Sequence, residues 1–579
     1  MKTLDLILTP LCLLGGALAA AEVKPATKPN IIVIYTDDHG YADLGCMGIM
    51  KDVKTPNIDA LAAAGVRMTA GYVTAPQCSP SRCGLISGQY QGKFGMDHNS
   101  MLEKDPVLRQ RLWALNTLPK RMKAAGYVTG MAGKSHLGSN ESADLVKVGF
   151  DKAFFKHSDA PGSWNMDVTG RDLPPQAQKG GYYHLEMIAD FGCAFINRFK
   201  DQPMFLYLAF RGPHVPLDAP KKYLDRFPGP MPEERRKALG SIACIDDGVG
   251  KIMAALRKNG LEENTLIFII SDNGAPLKEM PHEFVTDGNG LKTLKLNTPR
   301  NWNGWDGSLN DPMNGEKGML TEGGIRTPFV VHWKGTIPGG QVYSNPVISL
   351  DVAATANALA GLPNDPVLDG VNLMPYLTGK NPGAPHEVLF WRWANHYAIR
   401  KGNWKYITVG GSQYLFNLAN DPYEKHDLVA QHPEQVKALR SQLAQWTQTL
   451  IPPGLPDLKG GKSSKGSYAY YVDGKPAPTT SPKDRRKGKG KGKIRAAAET
   501  QDTDAERESA QRLFEQRDVN KDGRVTLEEF LNGRAGPTVP TLNRHFKALD
   551  RDGDGVWTKS DLESVSKSKE ANKRTHTMP

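Results

Sequence analysis

The chain has 579 residues, 39 % apolar and 23 % charged, with 10 Trp, 18 Tyr and 18 Phe, enough to build a large packed interior; a mini-protein and wholesale disorder are both excluded. The net charge of +11 is concentrated: residues 459–495 carry 12 Lys/Arg against 2 Asp/Glu, leaving the rest of the chain at +1. The folded part therefore gives no electrostatic reason to expect a nucleic-acid partner.

In chain order, Lys2, an apolar run over 6–18 and Ala19-Ala20-Ala21 read as a signal peptide, 1–21, which predicts export to the periplasm or the extracellular space. Beyond it no apolar run approaches the roughly 20 residues of a membrane span, so no transmembrane segment is expected. Loss of Cys12 with the leader leaves five thiols, and the odd number flags one with a separate task.

Apolar strand-like runs at 30–36, 204–210, 265–271 and 329–333 alternate with helix-like stretches at 57–64, 118–125, 183–199 and 235–258. That alternation predicts an α/β block over 28–377, a largely parallel sheet covered by helices on both faces. Strand-like pieces at 388–393, 396–400, 404–409 and 413–417, then a helix over 433–450, predict a small antiparallel sheet with one helix within 378–456. Gly, Lys, Ser and Pro dominate 457–500, which reads as a solvated spacer, with a tether for polyanionic glycans as the rival reading. A last folded unit occupies 501–570.

Two acidic clusters follow strand-like runs: Asp37-Asp38-His39-Gly40 and Asp272-Asn273-Gly274. In open α/β sheets ligands bind beyond the carboxyl ends of strands, and hard oxygens suit Ca²⁺ or Mg²⁺ rather than zinc. An ordinary strand-ending turn fits each cluster equally well taken alone. In Cys78-Ser79-Pro80-Ser81-Arg82-Cys83-Gly84, Pro80 suits a first helical turn, which puts Cys78 at a helix N-terminus where negative charge is stabilised. A disulfide to Cys83 is the plainer alternative.

These residues, with Gly133-Lys134-Ser135-His136-Leu137-Gly138, Pro213-His214-Val215-Pro216, Gly315-Glu316-Lys317-Gly318 and Glu322-Gly323-Gly324-Ile325-Arg326, occur in an order that resembles the type I, formylglycine-dependent sulfatases. The likeness is to arylsulfatases and N-acetylgalactosamine sulfatases, and it extends to Arg400-Lys401-Gly402-Asn403-Trp404-Lys405 and Leu415-Phe416-Asn417-Leu418. It implies an alkaline-phosphatase-like fold with a large mixed sheet between helices and a small antiparallel C-terminal subdomain. Cys78 would be oxidised to Cα-formylglycine by a maturation enzyme and hydrated to a diol that attacks sulfur. Asp37, Asp38, Asp272, Asn273 and position 78 would hold a divalent cation, Ca²⁺ before Mg²⁺. Arg82 and Lys134 would orient the diol, Lys317 would grip the sulfate, and Asp272 would be the base. His214 with Lys317 would protonate the leaving alcohol, and His136 would take a proton from the second hydroxyl. Ser87-Gly88-Gln89 stands where the family usually has Thr-Gly-Arg, and Ser135 where Trp is common.

The last unit contains Asp518, Asn520, Asp522, Gly523, Arg524 and Glu529 at EF-hand spacing, and a second loop starts 32 residues later with Asp550, Asp552, Asp554, Gly555, Val556 and Asp561. Arg524 and Val556 would ligate through backbone carbonyls. Asp561, one methylene shorter than Glu, predicts weaker coordination; it favours a dockerin-like alternative that Glu529 and the preceding helices oppose. An all-α pair of EF-hands binding up to two Ca²⁺ is expected.

The sequence thus predicts an exported sulfatase acting on a sulfated carbohydrate. Trp302, Trp305, Trp391, Arg392, Trp393 and His396 are candidates for contacting the sugar. A phosphomonoester or phosphodiester hydrolase of the same superfamily, and an inactive calcium-dependent glycan-binding protein, are the alternatives.

Overall fold

The computed structural model describes residues 28–451 with breaks at 100, 139–141, 156–161, 179–181, 278–283, 295–304 and 306, then 465–475, 514, 518, 520–531 and 554–558. The leader 1–21, Trp302, Asp550, Asp552 and Asp561 lie outside the described residues.

One ten-stranded sheet organises the main block. Its strands are β1 (Asn30–Asp37), β2 (Val66–Met68), β3 (Val128–Gly133), β4 (Lys152–Phe155), β5 (Gly162–Met166), β6 (Asp172–Gln178), β7 (Met204–Pro213), β8 (Thr265–Ser271), β9 (Phe329–His332) and β10 (Gln341–Tyr343), in the order β10-β2-β9-β8-β1-β7-β3-β4-β5-β6. β8, β1, β7, β3 and β4 are mutually parallel, whereas β9 runs antiparallel to β8, and β5 and β6 antiparallel to their neighbours. The sheet is therefore mixed at its flanks. Every residue of β1 and β8 is buried, as continuous apolar runs require when both faces are covered. Ile31, Val33 and Tyr35 pack with Cys83, Leu85 and Ile86 of the helix Cys78–Ser87. Ile32 and Ile34 pack with the helices His184–Phe199 and Glu233–Lys258.

The second block is an antiparallel meander, β11 (Val388–Trp393), β12 (His396–Lys401), β13 (Trp404–Val409) and β14 (Ser412–Asn417), followed by the helix Pro433–Thr447. Strand alternation splits its side chains. Leu389, Trp391, Ala398 and Ile407 join the main core, while Ile399, Tyr406 and Leu415 meet Leu439 and Leu443 of the helix. The seam between the blocks is charged. Lys405 Nζ lies 2.7 Å from both Glu322 Oε1 and Glu424 Oε1, all three side chains fully buried.

The Lys/Gly-rich segment differs from a solvated spacer where it is described. Residues Lys465–Tyr471 form a helix, and Tyr468 is buried against His396 and Tyr414. The cluster Tyr468, Tyr470 and Tyr471 within this polar stretch supplies the apolar surface that docks it. In the last unit, Arg524–Thr526 pairs antiparallel with Val556–Thr558, and Trp557 packs edge-on to Phe514 with centroids 5.2 Å apart. The two short segments thus face each other through a three-residue ladder.

Candidate active site

The carboxyl ends of β1, β8, β3 and β7 converge. β1 ends in Asp37; Asp38 follows with φ 57°, a left-handed conformation uncommon outside glycine. β8 delivers Asp272 and Asn273, β3 delivers Lys134 and His136, and β7 leads into His214. His136 is likewise left-handed, at φ 51°.

Cys78 opens its helix, preceded by extended Gln77, and is fully buried. All five described cysteines are free, so a Cys78–Cys83 disulfide is not formed. One oxygen or nitrogen each from Asp37, Asp38 and His214, together with Cys78 Sγ, fall within 4.8 Å of one another. Lys317 reaches in from the loop 314–324: its Nζ donates to both oxygens of Asp38 at 2.7 Å and lies 3.4 Å from Cys78 Sγ. Asp38 also accepts from Asn273 Nδ2 at 2.6 Å, and its backbone N–H donates to Asp272 at 3.2 Å. Arg82, one turn after Cys78, donates Nε to Asp272 at 2.9 Å and Nη1 to the Lys134 carbonyl at 2.9 Å and Tyr207 Oη at 3.3 Å. Lys134 pairs with Asp37.

Three buried carboxylates thus face three cations. Burial would raise Asp37, but Lys134, His214 and Arg82 hold it well below the usual carboxylate range. Asp38 is lowered against its burial by Lys317 and His214. Asp272 goes the other way: burial and the Asp37 charge push it up to about 7 despite Arg82 and Lys134. Burial and Asp37 push the Cys78 thiol up to about 12 against both lysines, so the unmodified side chain is a neutral thiol and a poor nucleophile. Burial and Lys134 lower His214 to about 4, and burial with Lys134 and Arg82 hold His136 well below its ordinary value. Both rings are neutral at pH 7.

The donor set fits a hard divalent cation. Asp37 Oδ1 and Asn273 Oδ1 are buried with no hydrogen-bond partner, beside Asp38 and Asp272. A dication added to three carboxylates and three ammonium or guanidinium groups leaves the site net positive and suited to an anion. His136 Nδ1 is also buried and unpartnered, free to accept a proton. The opening lies at His214 and Lys317, whose side chains are 23 % and 15 % exposed.

The sugar-contact candidates fare differently. Trp305 is 1 % exposed and donates Nε1 to the Ser308 carbonyl at 2.9 Å, inside the core. Trp391 is buried and donates to the Val73 carbonyl. Arg392 forms a two-point pair with Asp97 at 2.7 and 2.9 Å, and His396 is 1 % exposed against Trp393 and Tyr468. These four serve packing, because a guanidinium or indole already satisfied inside the fold has nothing to offer a ligand. Among the described candidates, Trp393 alone stays half-buried beside the site, bonded to Gln77 Oε1 at 3.0 Å and packed over Gly318. The sequence reading missed Tyr207, Gln77 and Tyr468; only the last carried a signal, its aromatic cluster in a polar stretch.

At the C-terminal loops, Asp518 accepts from the N–H groups of Asp522 and Gly523 at 3.1 and 2.9 Å, and Gly523 has φ 80°. Asn520, Arg524, Glu529, Asp554 and Val556 lie in the same described loops.

Comparison with known proteins agrees. The sulfatase family model matches residues 29–362, the C-terminal model of N-sulphoglucosamine sulphohydrolase matches 315–450, and an EF-hand model matches 510–532. The chain is 28 % identical to arylsulfatase J of Mus musculus, covering 76 % of this chain and 80 % of that protein. It is 28 % identical to N-acetylgalactosamine-6-sulfatase of Rattus norvegicus over 78 % of this chain and 91 % of that one. A solved structure of Ps i-CgsB in complex with k-i-k-neocarrahexaose is 29 % identical, with a TM-score of 0.61 over 74 % of this chain and 95 % of that chain.

Proposed function

The chain belongs to the sulfatase family, and we propose that it is exported and cleaves sulfate esters on a carbohydrate through an oxidised Cys78. The observation that carries this is Cys78 itself, at the start of its helix and buried among Asp37, Asp38 and His214 with Lys317 Nζ 3.4 Å away. Conversion to Cα-formylglycine by a maturation enzyme, followed by hydration, gives this position the hydroxyl it needs. A divalent cation, Ca²⁺ before Mg²⁺, would be held by Asp37, Asp38, Asp272, Asn273 and position 78, and would lower the pKa of that hydroxyl and offset charge on the sulfate.

The chain's own groups do the rest. Arg82 and Lys134, each fixed by a buried carboxylate, orient position 78. Lys317 binds a sulfate oxygen in place of part of its contact with Asp38. Asp272, held beside position 78 by Arg82, takes the proton of the attacking hydroxyl. Lys317 and His214 stand at the opening where the alcohol leaves; His214, neutral in the free site, becomes an acid only when an anionic ester raises it. His136 accepts the second hydroxyl's proton at its unpartnered Nδ1.

The proposed organisation is a leader 1–21, a catalytic domain 28–377, a small-sheet subdomain 378–456, a basic segment 457–500 and a calcium-binding EF-hand pair 501–570. Half-buried Trp393 beside Lys317 supports a sugar ring as the group next to the ester, as do the relatives named for acetylgalactosamine. The test is release of sulfate from a panel of sulfated sugars, with phosphate monoesters alongside. Sulfate release from a sugar ester supports the reading; phosphate release with no sulfate release overturns it.

A further inference from the structure

The loop that presents Lys317 turns on two glycines and closes on itself through the Gly323 N–H, which donates to the Asn314 carbonyl at 2.7 Å. Gly315 and Gly318, on either side, sit at φ 85° and 86°, and a lysine's four-carbon stem does not place its own ammonium. The middle of the loop is tied to the site: Lys317 N–H donates to the Ala275 carbonyl at 3.1 Å and Gly318 N–H to the Pro76 carbonyl at 2.9 Å. Its two ends are held by a segment far along the chain. Leu320 N–H donates to Tyr468 Oη at 2.8 Å, and Asn314 Nδ2 donates to the Tyr471 carbonyl at 3.0 Å as well as to the Glu424 carbonyl at 2.9 Å. Tyr468, 1 % exposed, is itself wedged between His396 and Tyr414, each ring centroid 5.6 Å away.

We propose that the strap 465–475 is a positioning element for Lys317: Tyr468 Oη holds the loop at Leu320 and the Tyr471 carbonyl holds it at Asn314, and so the strap fixes the place of the ammonium over Asp38 and Cys78. This rests on the reading that Lys317 binds the sulfate. Tyr468 touches no reacting group and acts only through the backbone at Leu320. Without its oxygen the ring still packs, but a buried N–H loses its acceptor and the loop gains freedom.

The experiment uses the full chain, a small aryl sulfate, and the variants Tyr468→Phe, Lys317→Ala and the double variant. Tyr468→Phe is expected to lower kcat/KM about ten-fold, equivalent to about 1.4 kcal/mol of lost transition-state stabilisation from a displaced ammonium. In the Lys317→Ala background the same change should cost less than about two-fold, since there is no ammonium left to misplace. A full ten-fold loss in that background, or wild-type kinetics for Tyr468→Phe beside an impaired Lys317→Ala, would overturn the strap's role alone. Near-normal activity of Lys317→Ala would overturn the reading beneath it, and the proposal with it.

Discussion

Replacing Lys405 by Met tests the charged seam that joins the small sheet to the catalytic block. In the native seam Glu322 is held down at about 2: burial raises it, and Lys405 with Arg326 and Arg400 outweigh that. The drop from the ordinary 4.5 to about 2 is worth about 3 kcal/mol at 1.36 kcal/mol per pH unit, most of it from Lys405. Glu424 behaves oppositely, pushed up to about 7 by burial and by Glu322 despite Lys405. A carboxyl with a raised folded-state pKa adds stability below its unfolded value of about 4.5, and loses it as pH rises through about 7. Above pH 7 the native Glu424 ionises beside Lys405; in Lys405→Met it keeps its proton, at about 1.4 kcal/mol per further pH unit. The variant should therefore lie about 3 kcal/mol below the native protein at pH 6, within the usual 3–5 kcal/mol for breaking a buried ion pair, and about 2 kcal/mol lower still at pH 8.5. With an unfolding entropy near 0.9 kcal/mol per degree for roughly 420 residues, the Tm should fall by about 3–4 °C at pH 6 and about 5–6 °C at pH 8.5. Calorimetry at the two pH values reads this. A deficit under about 1 kcal/mol, or one that shrinks as pH rises, would refute the reasoning.

A chain ended after Pro478 keeps the strap and should retain kcat/KM on an aryl sulfate within about two-fold, whereas one ended after Leu458 loses Tyr468 and should drop about ten-fold or more. Chelation should silence the enzyme and Ca²⁺ should restore it, while Asp37→Ala, which leaves the cation and Lys134 without that carboxylate, should stay at least about a thousand-fold down at any Ca²⁺ concentration, read by steady-state kinetics. Arg392→Met, breaking the buried pair with Asp97, should lower stability by about 3 kcal/mol yet leave the ratio of sugar-sulfate to aryl-sulfate turnover unchanged, checked by denaturant unfolding and paired kcat/KM values.

What the sequence revealed follows from how local each signal is. Continuous apolar runs such as Ile31–Tyr35 and Leu266–Ile270 mark strands buried on both faces, and the residues just after these two reach the site; the equally buried run Phe329–His332 is antiparallel, which its composition does not distinguish. The proline two residues after Cys78 fixed the helix start. The short strands β3 to β6 went unread because pieces such as Val128–Gly133, with two glycines, carry little strand character. Lys405 alternates with apolar neighbours as a surface lysine would, and only a partner 83 residues earlier and another at Glu424 reveal it as buried. Trp305 and Arg392 show the converse: aromatic and basic residues near a site read alike whether they face a ligand or a satisfied interior. The order of the motifs brought out residues that the fold gathers at one place, but the lowering of His214 comes first from its burial and then from Lys134, 80 residues away, and was legible only in three dimensions.

The central claim is that position 78 works as an oxidised cysteine. Peptide mass spectrometry on protein that releases sulfate should find the Cys78 peptide lighter by about 18 Da, the change from CH₂SH to CHO, and Cys78→Ala should release none. Full sulfate release from protein whose Cys78 peptide carries the intact thiol, or from Cys78→Ala, would contradict the account.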